Sequence, residues 1–287
     1  MKKFFLDRGL KRLLRSSIRV ETKNSSENVP GGSKLGGLPD LPLGFKWPYY
    51  SDVDYKGEFG NRPLSFLAQI NLKDVTALDF SKLLPEQGLL SFFYETMSMP
   101  WGLDFKEKGC ARVYYFPDDA SSLQRTNFPN DLSSEGRFSE SSLVFSQKAS
   151  LPDFEEYLNL TTPNKKRGRS VYRSLDLYYD LLAEFGVDIS DPESKLLGYA
   201  DPIQGSNLAR DCALVSYGIN IGGAEYKLTS EQEQDIHQQS KDWILLFQLC
   251  STDEMMFGDL GCVYYFIHRQ DLAQRDFSKI WLRLECT

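Results

Sequence analysis

The chain contains two blocks with the same order of sequence features, and this repetition constrains the fold more than any other feature. Each block begins with an apolar run that carries a single glutamine, at residues 64–70 and again at 244–249. Each continues to a Gly-Cys pair that leads into Tyr-Tyr-Phe, at 109–116 and at 261–266. Aromatic and β-branched residues between turn residues favour strands over helices in all four segments. We therefore expect an internal duplication.

The predicted architecture is an α+β, β-rich fold in which two similar halves pack as one unit with flanking helices. The halves cover about residues 60–150 and 195–287, and the stretch between them carries helical patterns with capping residues. A length of 287 residues allows one large domain, which buries enough surface to fold without a metal or a disulfide. We therefore predict a single domain over residues 23–287.

The N-terminal segment predicts an amphipathic helix over residues 1–22. Leucines recur there at helical spacing, and most of the basic side chains fall on the other faces. A helix of this kind either packs its apolar stripe against a domain or lies on an anionic membrane surface. We expect packing on the domain and no contact with a membrane, and no apolar run reaches the roughly 18 residues of a membrane-spanning helix.

Cysteine usage and the N-terminal residues favour a reducing cytoplasm. The five cysteines are odd in number and contain no Cys-x-x-Cys spacing, whereas small secreted proteins use dense, even-numbered frameworks. The apolar residues near the N-terminus are interrupted by Asp7 and Arg8, so they do not form the apolar region of a signal peptide. We therefore expect a cytoplasmic protein.

The sequence offers no recognisable catalytic centre. The only two histidines, His237 and His268, exclude most histidine-based catalytic and zinc sites. The glycine-rich stretch at 31–37 lacks the Lys-Ser/Thr pair of a phosphate-binding loop, and neither a Gly-x-Gly-x-x-Gly nor a Gly-x-Ser-x-Gly motif occurs. We predict no cofactor and no metal, and the residues leave the question of enzymatic activity open.

Two glutamines within apolar strands are the first candidates for a functional role. An unsatisfied buried amide costs about 1–3 kcal/mol, so Gln69 and Gln248 must each find hydrogen-bond partners. They either bond to neighbouring backbone and fix the sheet, or line a polar cleft between the two halves near a pseudo-twofold axis. We expect the first arrangement, because most buried polar groups pair with backbone.

Two charged segments have alternative interpretations. Asp253 and Asp259 flank a short loop that could hold a cation, but metal loops need more oxygen ligands, so a solvated loop is expected. The basic stretch at 161–169 could contact phosphate, but no aromatic residues interleave with its charges. We expect an exposed loop there and no binding of nucleic acid.

Several blocks of the sequence, taken in order, resemble the YwqG-like family of bacterial proteins of unknown function. They are SKLGGLPDLPLGFKWP (33–48), LSFLAQINL (64–72), LPEQGLLSFFYE (84–95), LLGYADPIQG (196–205), MMFGDLGCVYYFIHRQDL (255–272) and DFSKIW (276–281). The resemblance implies an α+β fold of two similar halves and a cytoplasmic protein without an established activity or cofactor. Some members lie beside secreted-toxin systems, which implies an immunity-type partner.

The resemblance also nominates binding residues, which are the polar side chains within the matching blocks. Carried over one position at a time, they are Lys34, Gln69, Asn71, Gln204, Gln248, Asp253 and Asp259. The family pattern often has an acidic residue where this chain has Cys250, and tryptophan where it has Phe257. These departures weaken any role for a fixed carboxylate at position 250.

The distribution of charge favours a basic partner. The net charge is −7, but residues 1–23 carry +6 and residues 161–173 carry +5, which leaves about −18 for the rest. An acidic surface of this size attracts a basic protein, such as a nuclease toxin, and repels nucleic acid. We therefore predict a cytosolic binding protein with a basic protein partner.

Two alternatives stand beside this prediction. The chain could be an enzyme or a small-ligand binder, with Gln69, Gln204, Gln248, Asp253 and Asp259 converging in a polar cleft between the halves. The motifs could also serve only to stabilise a duplicated fold. Side chains more than about 15 Å apart would rule out a single small-molecule site.

Overall fold

The computed structural model describes most of the chain. The described residues are 9–23, 29–54, 56–117, 122–161, 175–187, 191–205, 207–223 and 225–287. Within these ranges, no helix has both the length and the apolar character needed to cross a membrane. Most of the basic stretch at 161–169 lies outside the described residues, and so does the first part of the predicted N-terminal helix.

The described residues form a β-rich fold, as predicted. The strands are β1 (Arg15–Lys23), β2 (Lys34–Leu35), β3 (Asp40–Pro42), β4 (Tyr49–Val53), β5 (Phe59–Pro63), β6 (Ser65–Asn71), β7 (Leu89–Tyr94), β8 (Ala111–Phe116), β9 (Leu123–Arg125), β10 (Ser141–Ser150), β11 (Lys195–Leu196), β12 (Trp243–Cys250), β13 (Cys262–His268) and β14 (Trp281–Glu285). Ten of them form one sheet in the order β14-β13-β12-β11-β1-β10-β2-β6-β7-β8. The remaining strands form two small ladders, β3 with β9 and β4 with β5.

Helices pack around this sheet and connect its strands. They are α1 (9–13), α2 (Leu72–Val75), α3 (Phe154–Thr161), α4 (Leu175–Glu184), α5 (Leu208–Ser216), α6 (Ser230–Ser240) and α7 (Arg269–Ala273), with short 3-10 turns at Phe105–Glu107, Ser134–Gly136 and Phe277–Lys279. The helical patterns predicted between the two halves correspond to α3 and α4. Both contribute apolar side chains to a separate cluster that packs beside β10.

The centre of the large sheet is the antiparallel pair of β1 and β10, which are in register along the whole of β1. On one side of this pair lie β2, β6, β7 and β8, and on the other side lie β11, β12, β13 and β14. The two-residue strands next to the pair place Lys34 opposite Gln69 and Lys195 opposite Gln248. The strands on either side of the pair therefore bring a lysine and a buried glutamine together in the same way.

The sheet curves until its two arms face each other across an apolar core. Phe92 of β7 contacts Phe247 of β12, with ring centroids 4.8 Å apart, and Tyr265 of β13, with centroids 5.2 Å apart. The Tyr265 hydroxyl donates a hydrogen bond to the carbonyl oxygen of Phe93 at 3.1 Å. The result is a nearly closed, barrel-like sheet. Because its interior is filled with buried apolar side chains, the space between the arms is not a polar cleft.

The amphipathic helix predicted over residues 1–22 is wrong from Arg15 onward, where the chain forms strand β1. Ile18 and Val20 are buried in the core and are β-branched, which suits a strand paired on both edges. The helical part of the described segment is limited to residues 9–13. The leucine spacing predicted a helix along the whole segment, but the chain changes from helix to strand between residues 13 and 15.

The two Tyr-Tyr-Phe segments, which we expected to be equivalent, do not occupy equivalent strands of the sheet. The first segment lies in β8, the edge strand of its arm, whereas the second lies in β13, which is flanked by β12 and β14. The strand that takes the position of β13 in the other arm is β7. A chain with 15 tyrosines and 19 phenylalanines repeats short aromatic motifs by chance, so the repeated Tyr-Tyr-Phe motif does not mark equivalent strands.

A disulfide joins Cys250 and Cys262, which the sequence did not predict. The two cysteines lie directly opposite each other on β12 and β13, so the antiparallel register rather than a short sequence spacing brings them together. Of the other cysteines, Cys110 and Cys212 are buried as free thiols and Cys286 is half-buried. Burial raises the pKa of the Cys110 and Cys212 thiols, which suits packing rather than reactivity.

Candidate functional site

The first buried polar cluster is organised around Gln69 on β6. Its side-chain oxygen accepts a hydrogen bond from the Asp40 backbone N–H at 2.9 Å. Its amide nitrogen donates to the Gly32 carbonyl at 2.8 Å and to the Asp40 carboxylate at 2.7 Å. The Lys34 ammonium lies 3.6 Å from the same carboxylate and 2.8 Å from Glu140. The glutamine thus holds the 31–40 loop against the outer face of the sheet.

The second cluster repeats these contacts around Gln248 on β12. The Gln248 oxygen accepts from the Asp201 backbone N–H at 3.0 Å, and its amide nitrogen donates to the Glu193 carbonyl at 2.9 Å. The same nitrogen lies 3.1 Å from the Asp201 carboxylate. The Lys195 ammonium is 2.5 Å from the other carboxylate oxygen of Asp201. As expected for both glutamines, neighbouring backbone groups supply two of the hydrogen bonds that each side-chain amide makes.

A short sequence pattern produces both clusters, and it was missed in the sequence. Residues 34–40 read KLGGLPD and residues 195–201 read KLLGYAD, so lysine, leucine, glycine and aspartate recur at the same spacing. The glycines shared by the two copies, Gly37 and Gly198, have φ values of +68° and +78°, a conformation that favours glycine. A Cβ atom on Gly198 would come within 2.7 Å of the Ser150 side chain, so a larger residue does not fit there.

The two aspartates differ in what covers them. Asp40 is fully buried, and the Arg125 guanidinium from β9 lies 2.9 Å from it and 3.0 Å from Glu140. Burial alone raises the pKa of Asp40, but hydrogen bonds from the Gly31 N–H and Gln69, with nearby cations, hold that pKa below its usual value. Asp40 is therefore an ionised carboxylate that its own half of the chain neutralises.

Asp201, by contrast, is partly open. Its side chain is 23% exposed, and Lys195 is the one cation within ion-pair distance of it among the described residues. No arginine occupies the position that Arg125 has over Asp40 in the described part of the second half. The exposed side of Asp201 faces a pocket instead.

This pocket has a volume of about 500 Å³ and an acidic, partly apolar lining. Three acidic residues line it, Asp153, Asp191 and Asp201, together with Tyr179 and Ile203. The other lining residues are Leu151, Pro192, Ala200, Pro202, Gly205, Leu260 and Thr287. A pocket of this composition suits a ligand that combines a positive charge with an apolar stem.

Burial raises the pKa of two neighbouring carboxyl groups, Asp153 in the lining of the pocket and Glu156 on α3. It raises the pKa of Asp153 to about 6, although the Glu155 and Glu156 backbone N–H groups donate to that carboxylate. Burial, with the charge of Asp153 adding to it, raises the pKa of Glu156 to about 8, while Arg15 and Lys195 act in the opposite direction. A cation in the pocket would favour the charged form of Asp153.

A buried carboxylate behind the pocket fixes one of its walls. Glu285 on β14 has no exposed surface, and one of its oxygens accepts from the Ile203 and Gln204 backbone N–H groups at 2.8 and 3.0 Å. The Tyr264 hydroxyl donates to the Asp201 carbonyl at 2.8 Å. These bonds hold the turn that carries Asp201 and Ile203. Glu285 was not predicted, because a glutamate near the end of an apolar strand gives no local signal.

The residues nominated from the sequence lie in separate places. Lys34, Gln69 and Asn71 belong to the first cluster, where the Asn71 amide donates to the Gly31 carbonyl at 2.9 Å. Gln248 belongs to the second cluster, and the Gln204 amide donates to the Cys286 carbonyl at 3.0 Å beside the pocket.

The loop between β12 and β13 holds the last two nominated residues. Asp253 and Asp259 are both exposed there, and the Asp259 carbonyl accepts two hydrogen bonds from Thr287. The solvated loop expected from the sequence therefore agrees with their exposure. Across the described ranges, no group of three or more histidine, cysteine or acidic side chains is arranged to hold a metal ion.

Comparison with known proteins gives a family but no function. Residues 33–286 match a family described as a domain of unknown function, DUF1963. A search of curated proteins found no match. The match supports the expected resemblance to an uncharacterised family, and the YwqG-like name stays a prediction.

Proposed function

The chain belongs to the DUF1963 family of domains of unknown function, and we propose that it is a binding protein for a basic protein partner. The acidic pocket at Asp201 receives a cationic side chain of that partner, and an arginine fits best. The observation that carries the proposal is the difference between the two aspartates. Asp40 is covered by Arg125, whereas Asp201 stands open to a pocket with two further carboxylates.

We infer that the two arms of the sheet arose by duplication, so that Asp40 and Asp201 occupy equivalent positions. The support for duplication is the repeated KLxGxxD pattern, the equivalent bonds of Gln69 and Gln248, and the equivalent strand order. If the arms share one plan, the Arg125–Asp40 pair shows which group this kind of aspartate accepts. A guanidinium presents several donors in a fixed plane and pairs closely with carboxylates.

Charge beyond the pocket supports the same partner. Outside its two basic segments the chain carries a net charge of about −18, which speeds encounter with a basic protein. A nuclease toxin has such a surface, because it must attract the phosphates of nucleic acid. An immunity-type role is the form of this function that the resemblance suggests, and no role in binding nucleic acid is proposed.

Single-arginine peptides test the proposal directly. The tripeptide acetyl-Gly-Arg-Gly-amide is titrated into the protein by calorimetry at low salt, next to versions with lysine or citrulline in place of arginine. Citrulline keeps the shape of arginine without its charge, so we expect it to bind at least tenfold more weakly, which corresponds to about 1.4 kcal/mol. Lysine should fall between them, because it cannot bind two carboxylate oxygens in a plane.

Charge-neutral variants connect that binding to the pocket. Asp191→Asn should weaken the arginine peptide about fivefold, and Asp201→Asn about tenfold, because Asp201 is the more buried of the two. Glu231→Gln removes the same charge from an exposed turn of α6 and should leave the affinity unchanged. Equal binding of the citrulline and arginine peptides, or an equal loss in the Glu231 variant, would refute the proposal.

The alternative of a small-ligand or catalytic cleft made from the nominated residues has less support. The interior between the arms is apolar, and Lys34, Gln69 and Asn71 are occupied in holding their own loop. Gln204 and Gln248 remain part of our proposal as residues that position the wall of the pocket.

We propose the cytoplasm as the compartment of this function. The Cys250–Cys262 bond weighs against it, because disulfides are rare in reducing compartments. Alkylation of thiols in intact cells, followed by mass spectrometry of the two cysteines, decides between reduced and oxidised protein. Quantitative oxidation in vivo would overturn the cytoplasmic assignment.

A further inference from the structure

A second pocket, opposite in charge to the first, lies where the two arms of the sheet come together. It has a volume of about 680 Å³ and is bounded on one side by β8 and on the other by the segment 275–278 after α7. Its lining includes three cations, Lys108, Arg112 and Arg275. The one carboxylate in the lining, Asp276, already accepts from Ser278 and pairs with a neighbouring lysine at 3.3 Å.

The three cations have no carboxylate partner in the parts of the chain that the structure describes. No acidic oxygen lies within ion-pair distance of Lys108, Arg112 or Arg275 there, although the protein as a whole is acidic. Lys108 lies over the Phe105 ring at 5.3 Å and Arg112 donates to the Ala111 carbonyl at 3.4 Å, and neither contact neutralises a positive charge. An anion in the pocket would supply the missing charge.

The position of Arg275 is unfavourable for any residue except glycine. It follows the last turn of α7, its N–H donates to the Leu272 carbonyl at 2.9 Å, and its φ is +59°. Helices commonly end on a left-handed residue at this place, and glycine is the usual choice because it has no Cβ. The chain has an exposed arginine there instead, at a cost in stability. From this position Arg275 lines the pocket.

The other wall supplies flat apolar surface and backbone donors. The flat apolar surface is the ring of Tyr115, which is half-buried and packs on the buried ring of Phe277 with centroids 5.4 Å apart. The Glu95 N–H donates a hydrogen bond to the carbonyl of Cys110, its partner in the antiparallel register, at 2.8 Å. Because hydrogen-bonded and non-hydrogen-bonded pairs alternate along such a ladder, this bond shows which β8 residues bond to β7.

Val113 and Tyr115 occupy non-hydrogen-bonded positions of the β7–β8 ladder. Their N–H groups therefore point away from β7, toward the open edge of β8 beside the pocket. They add neutral donors to the positive charges.

We propose that this pocket binds a small organic anion that joins a phosphate group to a flat ring, as in a nucleoside monophosphate. The guanidinium groups of Arg112 and Arg275 hold the phosphate, since arginine forms paired hydrogen bonds with its oxygens. The ring lies against Tyr115, which Phe277 supports from behind, because aromatic side chains stack on bases of any identity. The site is independent of the acidic pocket, which has the opposite charge and different residues.

Three probes separate the contributions of charge and ring. Adenosine monophosphate, inorganic phosphate and adenosine are titrated separately at low salt, with affinity measured by calorimetry. We expect the monophosphate to bind about tenfold more tightly than phosphate and more than tenfold more tightly than adenosine. Equal affinities for the monophosphate and phosphate would refute the ring contact, and an absence of binding at millimolar concentration would refute the site.

Arg275→Gly separates a ligand-binding role from a structural one. The glycine should raise the melting temperature by about 2 °C, because it relieves the left-handed backbone. It should also weaken the monophosphate about tenfold. Lys82 is the matched control, since it is exposed and has a φ of +50°. Lys82→Gly should raise the melting temperature similarly and leave the affinity unchanged.

Two further variants make the result unambiguous. Arg112→Gln should weaken both the monophosphate and phosphate, whereas Tyr115→Leu should weaken the monophosphate alone. Asp191→Asn, which tests the acidic pocket, should not reduce binding of the monophosphate. Unchanged affinity in Arg275→Gly and Arg112→Gln together would overturn the proposal, even if the wild-type protein binds the anion elsewhere.

Discussion

Replacing Gln248 by alanine gives the sharpest test of how the two polar clusters hold the fold. The side chain makes hydrogen bonds to the Asp201 N–H, the Glu193 carbonyl and the Asp201 carboxylate, and it has no exposed surface. Alanine removes all three bonds and leaves buried backbone groups without partners. It adds no group that could replace them.

The size of the effect follows from that count. An ordinary hydrogen bond contributes about 1 kcal/mol, and a buried group left unpaired costs about 1–3 kcal/mol. We therefore expect Gln248→Ala to lower the free energy of unfolding by about 3–5 kcal/mol. In a domain of this length each kcal/mol corresponds to about 2 °C, so the melting temperature should fall by about 6–10 °C.

Urea denaturation followed by circular dichroism measures this change, with two reference variants. Gln69→Ala removes the matching bonds in the other arm and should cost a similar amount. Gln147→Ala changes an exposed glutamine on β10 and should alter stability by less than about 0.5 kcal/mol. A loss below about 1 kcal/mol in both buried variants would refute the view that these amides fix the loops to the sheet.

Three further predictions concern the charges and the disulfide. Arg125→Gln leaves the buried Asp40 carboxylate without its guanidinium and should cost about 3 kcal/mol, measured by urea denaturation, and a neutral effect would contradict the pairing. Burial raises the pKa of Glu156 from 4.5 to about 8, so the folded state binds more protons than the unfolded state between these values. Stability should therefore fall as the pH rises from about 4.5 to about 8, and Glu156→Gln should flatten that part of a plot of melting temperature against pH. Reduction of the Cys250–Cys262 bond opens a short loop and should cost about 3 kcal/mol, detected as a lower melting temperature in dithiothreitol; an unchanged value would mean that β12 and β13 hold without it.

Strands with strong local patterns could be predicted from the sequence. The apolar runs around Gln69 and Gln248 form β6 and β12, and the expectation that each amide bonds to nearby backbone agrees with the hydrogen bonds. The sequence also predicts a helix that starts at Thr229 or Ser230, and α6 begins at Ser230 with Thr229 as its capping residue. These elements follow from burial and capping, which act within a few residues.

Features that depend on distant parts of the chain could not be predicted in this way. β1 is a strand because β10 and β11 lie on either side of it, and the basic, leucine-rich composition before it pointed to a helix. The difference between Asp40 and Asp201 depends on whether an arginine covers the carboxylate. Arg125, which covers Asp40, lies 85 residues away in the chain. The pattern that pairs Lys195 with Asp201 is present in the sequence as KLLGYAD beside KLGGLPD, but most of it lies in a loop, where hydrophobic periodicity gives no signal.

The place of β1 has a consequence for any shortened version of this protein. The family match begins at residue 33, yet β1 ends at Lys23 and fills the middle of the large sheet. A fragment cut at the family boundary would lose a central strand and expose the unpaired edges of β10 and β11 to other chains. Such a fragment should self-associate, and a synthetic peptide covering Arg15–Lys23 should restore a monodisperse species by completing the sheet.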